Sequence, residues 1–235
     1  MKYILQIAAH LTIGGAEKVA RDIGMYANPE EYEIHYVIFD DDIGDYGREV
    51  ETKGCKIFKL REPSENYSEF FKKLKELMSI YSYDAVHAHT MFSIGWVMLA
   101  AKQMNIPVRV SHAHSALING KSLMKSIYES VMRCLILAYS TDLVACGEKA
   151  GQRLYGKSAY KKRGKLILNG VNTEEYRFSE EKRYIIRIPD IKFNTSIPLN
   201  GFSAIHLRPS SYTRKNIKHP FLFIGILIKR PWMIG

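Results

Sequence analysis

The stretch YILQIAAHLTIGGAE, residues 3–17, decides the fold of this chain. It opens with a short apolar run, interrupted by Gln6, that is typical of a strand buried on both faces of a parallel sheet. Two adjacent glycines, Gly14 and Gly15, follow the strand and begin a helix that continues toward Tyr26. A buried strand, a glycine turn and a helix in this order predict the first unit of an α/β fold.

Apolar runs and helical patterns continue to alternate up to about residue 170. The runs predict strands at Tyr3–Ala8, Ile34–Phe39, Lys56–Leu60, Ala85–Ala88, Val108–Ser111, Leu143–Ala145 and Lys165–Leu168. Amphipathic stripes at residues 70–81 and 127–138 predict helices between some of these strands. Because strands and helices alternate, we predict an α/β fold built on a doubly wound, parallel, Rossmann-like sheet.

The composition is typical of a globular protein that can bury a sizeable core, with 46% hydrophobic and 25% charged residues. The three cysteines have no C-x-x-C spacing, which argues against a disulfide framework and fits a reducing compartment. No apolar stretch reaches the length of a membrane span, and no cleavage site follows the opening apolar run. We therefore expect a cytoplasmic protein, or one bound peripherally to the inner face of the cell membrane.

Positive charge and proline are both concentrated toward the carboxyl end. The net charge is +10, and ten basic residues against three acidic ones follow position 179. Five of the eight prolines also lie beyond residue 178, a density that disfavours long helices and central strands. We predict a folded domain at 1–173 and an irregular tail at 174–235. Because most of the charge excess lies in this tail, we expect no nucleic acid as a partner.

The glycine turn is the first candidate binding site. Gly14 and Gly15 follow the first predicted parallel strand, at the sheet edge where doubly wound folds bind ligands. Glycine lets the backbone approach a ligand closely, and the free N–H groups of the following helix favour a phosphate. A nicotinamide dinucleotide site, with the acids at 40–42 binding ribose, is the competing interpretation. We disfavour it because Lys18 stands where the third glycine of G-x-G-x-x-G belongs.

Two H-x-H pairs end neighbouring predicted strands, His87 with His89 and His112 with His114. Residues two apart on a strand point to the same side, so the pairs should meet at the ligand-binding edge. Four imidazoles could bind zinc, but no carboxylate or thiolate accompanies them at ligand spacing, so we predict no metal site. We expect His87 and His112 to be packed in the sheet. For His114, a substrate contact and a structural role remain equally open.

The segment Lys121–Ser140 predicts an amphipathic helix that carries basic residues beside an apolar stripe. The stripe consists of Ile127, Val131, Leu135 and Ala138. Such a helix can rest on an anionic membrane surface, but a stripe that faces the core is more common, and we expect a core-facing one here. We expect the basic cluster Lys161–Arg163 to form a loop.

The order of these motifs resembles that of glycosyltransferase family 4. The motifs concerned are Gly14–Glu17, Asp84–His89, Ile106–Ser115, Leu143–Gly156 and Ile167–Asn172. In turn they resemble the family's G-G-A/V-E loop, its D-h-h-H-x-H strand end, the strand with its active-site histidine, its A-C-S helix start and its N-G-I/V-D signature. The resemblance covers residues 1 to about 178 and points to bacterial enzymes that build capsular polysaccharides and exopolysaccharides.

The resemblance implies the N-terminal half of a GT-B fold, in which two Rossmann domains face each other across the active site. It implies a retaining, metal-independent hexosyltransferase that uses a nucleotide-sugar donor, no further cofactor, and a lipid-linked or oligosaccharide acceptor. By position, Gly14 and Gly15 would contact the donor diphosphate, and His114 would be the catalytic residue at the transferred sugar. Further candidate substrate contacts are Glu17, His89, Ser115 and Asn169.

The carboxyl end departs from the family pattern. The family's second domain carries a G-R-x…K loop and two glutamates spaced E-x7-E, and the tail at 174–235 has neither. We therefore expect a truncated or frame-shifted gene product with impaired turnover, because half of the diphosphate clamp would be missing. Two hypotheses remain open. One is an enzyme, and the other is a non-catalytic remnant or acceptor-binding module that pairs with a separate donor-domain chain.

Overall fold

One sheet of seven parallel strands organises residues 1–116 and 122–170, the part of the chain that the computed structural model describes. The strands are β1 (Lys2–Ile7), β2 (Tyr32–Ile38), β3 (Lys56–Lys59), β4 (Tyr83–Ala88), β5 (Val108–Ala113), β6 (Asp142–Ala145) and β7 (Gly164–Leu166). They lie in the order β3-β2-β1-β4-β5-β6-β7, and every neighbouring pair is parallel. The predicted doubly wound parallel sheet is confirmed.

Seven helices and one short 3₁₀ turn (Met91–Ser93) connect the described strands. The helices are α1 (Gly15–Tyr26), α2 (Gly44–Glu51), α3 (Tyr67–Ile80), α4 (Ile94–Gln103), α5 (Leu123–Tyr139), α6 (Glu148–Tyr155) and α7 (Lys157–Arg163). The stripes in the sequence correctly predict α3 and α5, and the glycine turn predicts α1. The stripes do not reveal α4, because most of its residues are apolar and buried and no polar face marks its period.

The sheet separates two apolar cores. On one face, side chains such as Leu5 and Val86 belong to a core that includes residues of α3, α4, α5, α6 and α7. On the other face, Ile4 and Ala85 belong to a core that includes residues of α1 and α2. Neighbouring residues of one strand enter different cores because strand side chains alternate. Burial on both faces therefore explains why the central strands are continuously apolar in sequence.

The buried side of α5 differs from the predicted stripe. Ile127 and Val131 are half exposed, at 50% and 49%, and the buried positions are Met132 and Ile136. The contact with α4 favours this orientation, because a side chain on Gly95 would place its Cβ only 2.9 Å from the Met132 carbonyl oxygen. The prediction that Ile127 and Val131 face the core is therefore wrong, since close helix packing at Gly95 turns a different face inward.

The basic cluster Lys161–Arg163 forms the last turn of α7, so the predicted loop is wrong. Within this cluster, Arg163 donates hydrogen bonds to the carbonyl oxygens of Leu137 at 2.8 Å and Ser140 at 2.9 Å. These are carbonyl groups at the carboxyl end of α5, where a cation is electrostatically favoured.

Several predictions concern residues that the structure does not describe. The tail at 174–235, the domain boundary at 173 and Lys121 all lie outside the described residues. Within the described ranges, none of the helices combines the length and the apolar character that a membrane crossing requires.

We expect Gly95→Ala to lower the free energy of unfolding by about 1–3 kcal/mol, because the new Cβ would overpack the contact between α4 and α5. Urea unfolding followed by circular dichroism measures the change. Gly15→Ala is the matched control, since a Cβ there would meet no atom within 4 Å. Equal stability of the Gly95→Ala variant and the native chain would contradict this account of the packing.

Candidate functional site

The strands β1, β4 and β5 end at the same edge of the sheet. Ile7 pairs with Ala88, and Ala88 pairs with Ser111. The ladder continues one step beyond β4, where the backbone N–H of His89 donates to the carbonyl oxygen of Ile7 at 2.9 Å. Residues that directly follow these three strands therefore meet at one edge, where parallel α/β sheets place their ligand sites.

The two H-x-H pairs meet at this edge and form two hydrogen bonds, one between β4 and β5 and one between the residues that directly follow these strands. His87 Nε2 lies 3.2 Å from His112 Nδ1, and His89 Nδ1 lies 2.8 Å from His114 Nε2. His87, His89 and His112 are at most 6% exposed, whereas His114 is half-buried. The predicted meeting of the pairs is confirmed, as is the packing of His87 and His112 inside the sheet.

A third polar side chain joins the histidines from β1. The side-chain oxygen of Gln6 lies 3.0 Å from His89 Nε2, so Gln6, His89 and His114 form a continuous chain of hydrogen bonds. Gln6 is completely buried. The sequence interpretation missed its role, although Gln6 is the polar residue inside an otherwise apolar strand, and such a residue needs a buried partner.

Burial keeps these histidines neutral. Desolvation lowers the pKa of His87 to about 3 and that of His114 to about 4. It also holds the pKa values of His89 and His112 well below the ordinary value, and neighbouring imidazoles contribute further. Each ring is therefore uncharged near pH 7, with one N–H donor and one nitrogen acceptor.

Three of the imidazoles approach a metal-binding arrangement, because one nitrogen each of His87, His89 and His112 lies within 4.8 Å of the others. Zinc would require three lone pairs that converge on one point. His87 and His112 instead share a hydrogen bond, and His89 directs its nitrogens toward Gln6 and His114. Hydrogen bonding thus accounts for the ring positions, and the geometry favours a histidine network over a metal centre.

The glycine turn presents the amino end of α1. Gly14 is the N-cap residue, its backbone is extended, and no described side chain caps the helix. A Cβ on Gly15 would meet no atom within 4 Å, so packing within the described protein does not require glycine there. The carboxylate of Glu17 lies close to Gly14, in the first turn of α1, where the helix dipole favours negative charge. The turn is thus suited to an anion.

A cavity of about 530 Å³ lies at this edge of the sheet. Its wall includes Ala16 and Glu17 from the start of α1, together with His89, His114 and Ser115 from the histidine side. The structure thus brings four of the predicted site residues into one cavity. The predicted diphosphate contacts Gly14 and Gly15 do not belong to the described lining, but they directly precede Ala16, which does.

The remaining predicted site residue lies elsewhere. Asn169 is exposed and does not belong to the described lining of the cavity. The acids at 40–42, which the competing nicotinamide interpretation assigned to ribose, are also absent from that lining. Asp40 instead hydrogen-bonds to His10 at 3.1 Å, and Asp42 accepts a hydrogen bond from the backbone N–H of Gly44.

Aromatic rings line another side of the same cavity. Tyr67 and Tyr128 contribute to its wall with ring centroids 5.9 Å apart, and Trp96 lies 5.6 Å from Tyr67. Beside them, Arg153 Nη2 donates to both carboxylate oxygens of Glu129, at 2.7 and 2.8 Å. The sequence interpretation missed this aromatic wall, because its residues come from three different helices and form no local motif.

The fold and the site together define a class. A doubly wound parallel sheet, with a cavity at its carboxyl edge and a glycine turn before the first helix, is a Rossmann-like α/β domain. The family model of Glycosyltransferase Family 4 matches residues 13–175, more than half of the chain. The chain belongs to this family, and the resemblance in its motifs is confirmed.

Two curated relatives are similar over most of this chain. It is 30% identical over 180 residues to the putative glycosyltransferase EpsF of Bacillus subtilis, which covers 74% of this chain and 46% of EpsF. It is 24% identical over 189 residues to the capsular polysaccharide biosynthesis glycosyltransferase CapH of Staphylococcus aureus, covering 79% and 52%. The chain thus spans about half the length of these relatives.

Solved structures show the same fold. A crystal structure of Anabaena Alr3699/HepE in complex with UDP aligns with a TM-score of 0.59 at 18% identity, covering 80% of this chain and 49% of that one. A glycosyltransferase from Rickettsia africae aligns with a TM-score of 0.57 at 17% identity, covering 79% and 48%. The seven-stranded domain therefore corresponds to about half of a GT-B glycosyltransferase, as predicted.

We expect the free energy of unfolding to fall as the pH is lowered from about 6.5 to 4. The folded-state pKa values of the four cluster histidines lie below their unfolded values, so in this window the unfolded chain binds protons that the folded chain excludes. Each histidine adds up to about 1.4 kcal/mol per pH unit to the slope of the unfolding free energy against pH.

Urea unfolding at several pH values measures this dependence. His112→Gln retains a group that can hydrogen-bond to His87 but no longer titrates, so its curve should be shallower than that of the native chain. An unfolding free energy that stays flat between pH 4 and 6.5 would show that these rings are not excluded from protonation in the fold.

Proposed function

We propose that residues 1–173 form the acceptor-side domain of a retaining, metal-independent hexosyltransferase. It would transfer a sugar from a nucleotide-sugar to a lipid-linked or oligosaccharide acceptor during the synthesis of capsular polysaccharide or exopolysaccharide. The observation that carries the proposal is the single cavity that joins the start of α1 to His114. Family membership and the names of EpsF and CapH support the reaction class.

The donor diphosphate would lie at the amino end of α1. The absence of a capping side chain at Gly14 and the open space beside Gly15 leave room for phosphate oxygens near the first N–H groups of the helix. Phosphate would replace the carboxylate of Glu17, which is held there by a flexible side chain. The complex of HepE with UDP and glucose is consistent with a nucleotide-sugar donor on this fold.

His114 would face the transferred sugar. Its Nε2 lies toward His89, and its Nδ1 is buried without a protein partner among the described residues, so a sugar hydroxyl would reach Nδ1 once the residues that cover it move aside. As the bond to the leaving diphosphate breaks, positive charge develops on the sugar, and a hydrogen bond from a sugar hydroxyl to an uncharged ring is more favourable than contact with an imidazolium. The lowered pKa of His114 keeps the ring in that uncharged form.

The aromatic wall would receive the acceptor. Tyr67 and Tyr128 offer flat apolar surfaces with polar tips, which suit the faces of a sugar ring. The exposed apolar side chains of α5 lie on the same helix as Tyr128, and Leu123 and Met124 are 77% and 75% exposed. These exposed positions support peripheral contact with the inner face of the cell membrane, where a lipid-linked acceptor is located.

The direct test is sugar transfer by the purified chain. A panel of labelled UDP-sugars and GDP-sugars is incubated with a lipid-linked oligosaccharide, with and without a separately produced donor domain of the family. Transfer by the chain alone supports an enzyme, and transfer that requires the added domain supports a module that pairs with a donor-domain chain. If the chain binds none of the nucleotide-sugars and none of the lipid-linked acceptors, both forms of the proposal are contradicted.

We expect Gly15→Ala to weaken binding of a nucleoside diphosphate by roughly tenfold. The new methyl group would occupy the open space through which the phosphates approach the helix. Isothermal titration calorimetry with UDP and GDP measures the change. Gly147→Ala is the matched control, since Gly147 also precedes a helix and a Cβ there would meet no atom within 4 Å, but it does not belong to the described cavity lining. Unchanged affinity in the Gly15→Ala variant would show that the diphosphate does not bind at this turn.

We expect His114→Ala to reduce turnover by about 10²-fold or more, because it removes a hydrogen bond that strengthens in the transition state. His87→Ala is the matched control, since it also deletes a buried imidazole from the network, but His87 does not belong to the described lining of the cavity. Its loss should be much smaller. Equal losses in initial-rate assays at saturating donor would refute the role of His114.

A further inference from the structure

We propose that Gln6 and His89 are positioning residues that determine which nitrogen of His114 carries the proton. They would hold His114 with a hydrogen on Nε2 and a lone pair on Nδ1, the nitrogen that would accept a sugar hydroxyl once the residues that cover it move aside. This inference rests on the proposed function for its catalytic meaning. The proton arrangement itself can be tested without any assay of sugar transfer.

The first step is the contact between Gln6 and His89. The amide oxygen of Gln6 lies 3.0 Å from His89 Nε2, and a carbonyl oxygen can only accept a hydrogen bond. His89 Nε2 must therefore carry the hydrogen. Because the ring is neutral and has one N–H, its Nδ1 is left as an acceptor.

The second step passes this constraint to His114. His89 Nδ1 and His114 Nε2 are 2.8 Å apart, and the unprotonated Nδ1 of His89 can only accept. His114 Nε2 must therefore donate, which leaves the lone pair of a neutral ring on His114 Nδ1. That atom is buried and has no protein partner among the described residues. The chain of donors thus ends on an acceptor that belongs to a side chain of the cavity wall.

Glutamine is better suited to this position than glutamate. A carboxylate beside His89 would accept the same hydrogen bond, but its charge would also favour an imidazolium and raise the pKa of the linked rings. The neutral amide fixes the direction of the hydrogen bonds while desolvation keeps the rings uncharged. Turning the amide around would place its NH₂ group toward His89 and reverse each donor, leaving a hydrogen on His114 Nδ1 instead of a lone pair.

The first experiment reads the proton positions directly. Two-bond ¹H–¹⁵N correlation spectra of the ¹⁵N-histidine-labelled full chain distinguish a protonated ring nitrogen from a bare one. At pH 7.5 we expect hydrogen on Nε2 of both His89 and His114. In Gln6→Leu, which removes the acceptor, His114 should become a mixture of the two tautomers. Gln103→Leu is the matched control, since it removes an exposed glutamine that accepts from Lys75.

A second variant keeps the test decisive if Gln6→Leu does not fold. Gln6→Glu preserves the acceptor, so His89 and His114 should keep their tautomers while the midpoint of their titration moves upward. Native spectra that show hydrogen on Nδ1 of His114 would overturn the proposal. So would an unchanged His114 tautomer in folded Gln6→Leu.

The effect of Gln6 variants on the kinetics of sugar transfer distinguishes a positioning role from a purely structural role. In a complex that transfers sugar, Gln6→Leu should lower kcat by between about tenfold and a hundredfold with little change in KM. Gln6→Glu should restore most of kcat at high pH and add an acidic limb to the pH profile. The loss from Gln6→Leu should largely vanish in a His114→Ala background, because both changes act through the same ring. If Gln6→Leu lowers kcat by the same factor in the His114→Ala variant as in the native chain, then Gln6 contributes only to stability.

The two proposals can fail separately. If no sugar transfer is found but the spectra show the expected tautomers, the proposed function fails and the positioning network stands. If transfer occurs and the spectra show hydrogen on His114 Nδ1, the proposed function stands and the positioning role of Gln6 and His89 is refuted.

Discussion

The parallel alignment of β1, β4 and β5 is the constraint on which the site depends. In a parallel sheet every strand ends at the same edge, so residues far apart in sequence are brought together there without any long-range motif. The register from Ile7 to Ala88 and from Ala88 to Ser111 fixes where the glycine turn and the two histidine pairs emerge. A one-residue slip of β4 would turn His87 and His89 to the other face and dismantle the network.

The buried histidines are tolerated because they are uncharged and hydrogen-bonded to one another. Each pair gives its two rings one mutual hydrogen bond, and the neutral form of the rings avoids a buried charge, which would be costly in this core. The same desolvation gives the cavity a ring that accepts a hydrogen bond without carrying charge. The stability of the sheet edge and the proposed chemistry of His114 therefore have one physical origin.

Much of the fold could be predicted from the sequence, because the strands buried on both faces are continuously apolar and the turn and histidines follow them directly. The orientation of α5 could not be, since it depends on the contact of Gly95 with Met132, which no periodicity records. The partnership of Gln6 with His89 and the aromatic wall of Tyr67 and Tyr128 were also hidden. In each case the partners lie far apart in sequence and meet only through the topology of the sheet.

The central claim is that the amino end of α1 and His114 form one wall of a pocket for a sugar linked to a nucleoside diphosphate. A crystal structure of the chain with a non-hydrolysable nucleotide-sugar tests it most directly. We expect diphosphate oxygens against the first N–H groups of α1 and a sugar hydroxyl about 3 Å from His114 Nδ1, with the residues that cover this nitrogen moved aside. A ligand bound instead in a different cavity, such as the one of about 370 Å³ beside Met25 and Cys55, would contradict it.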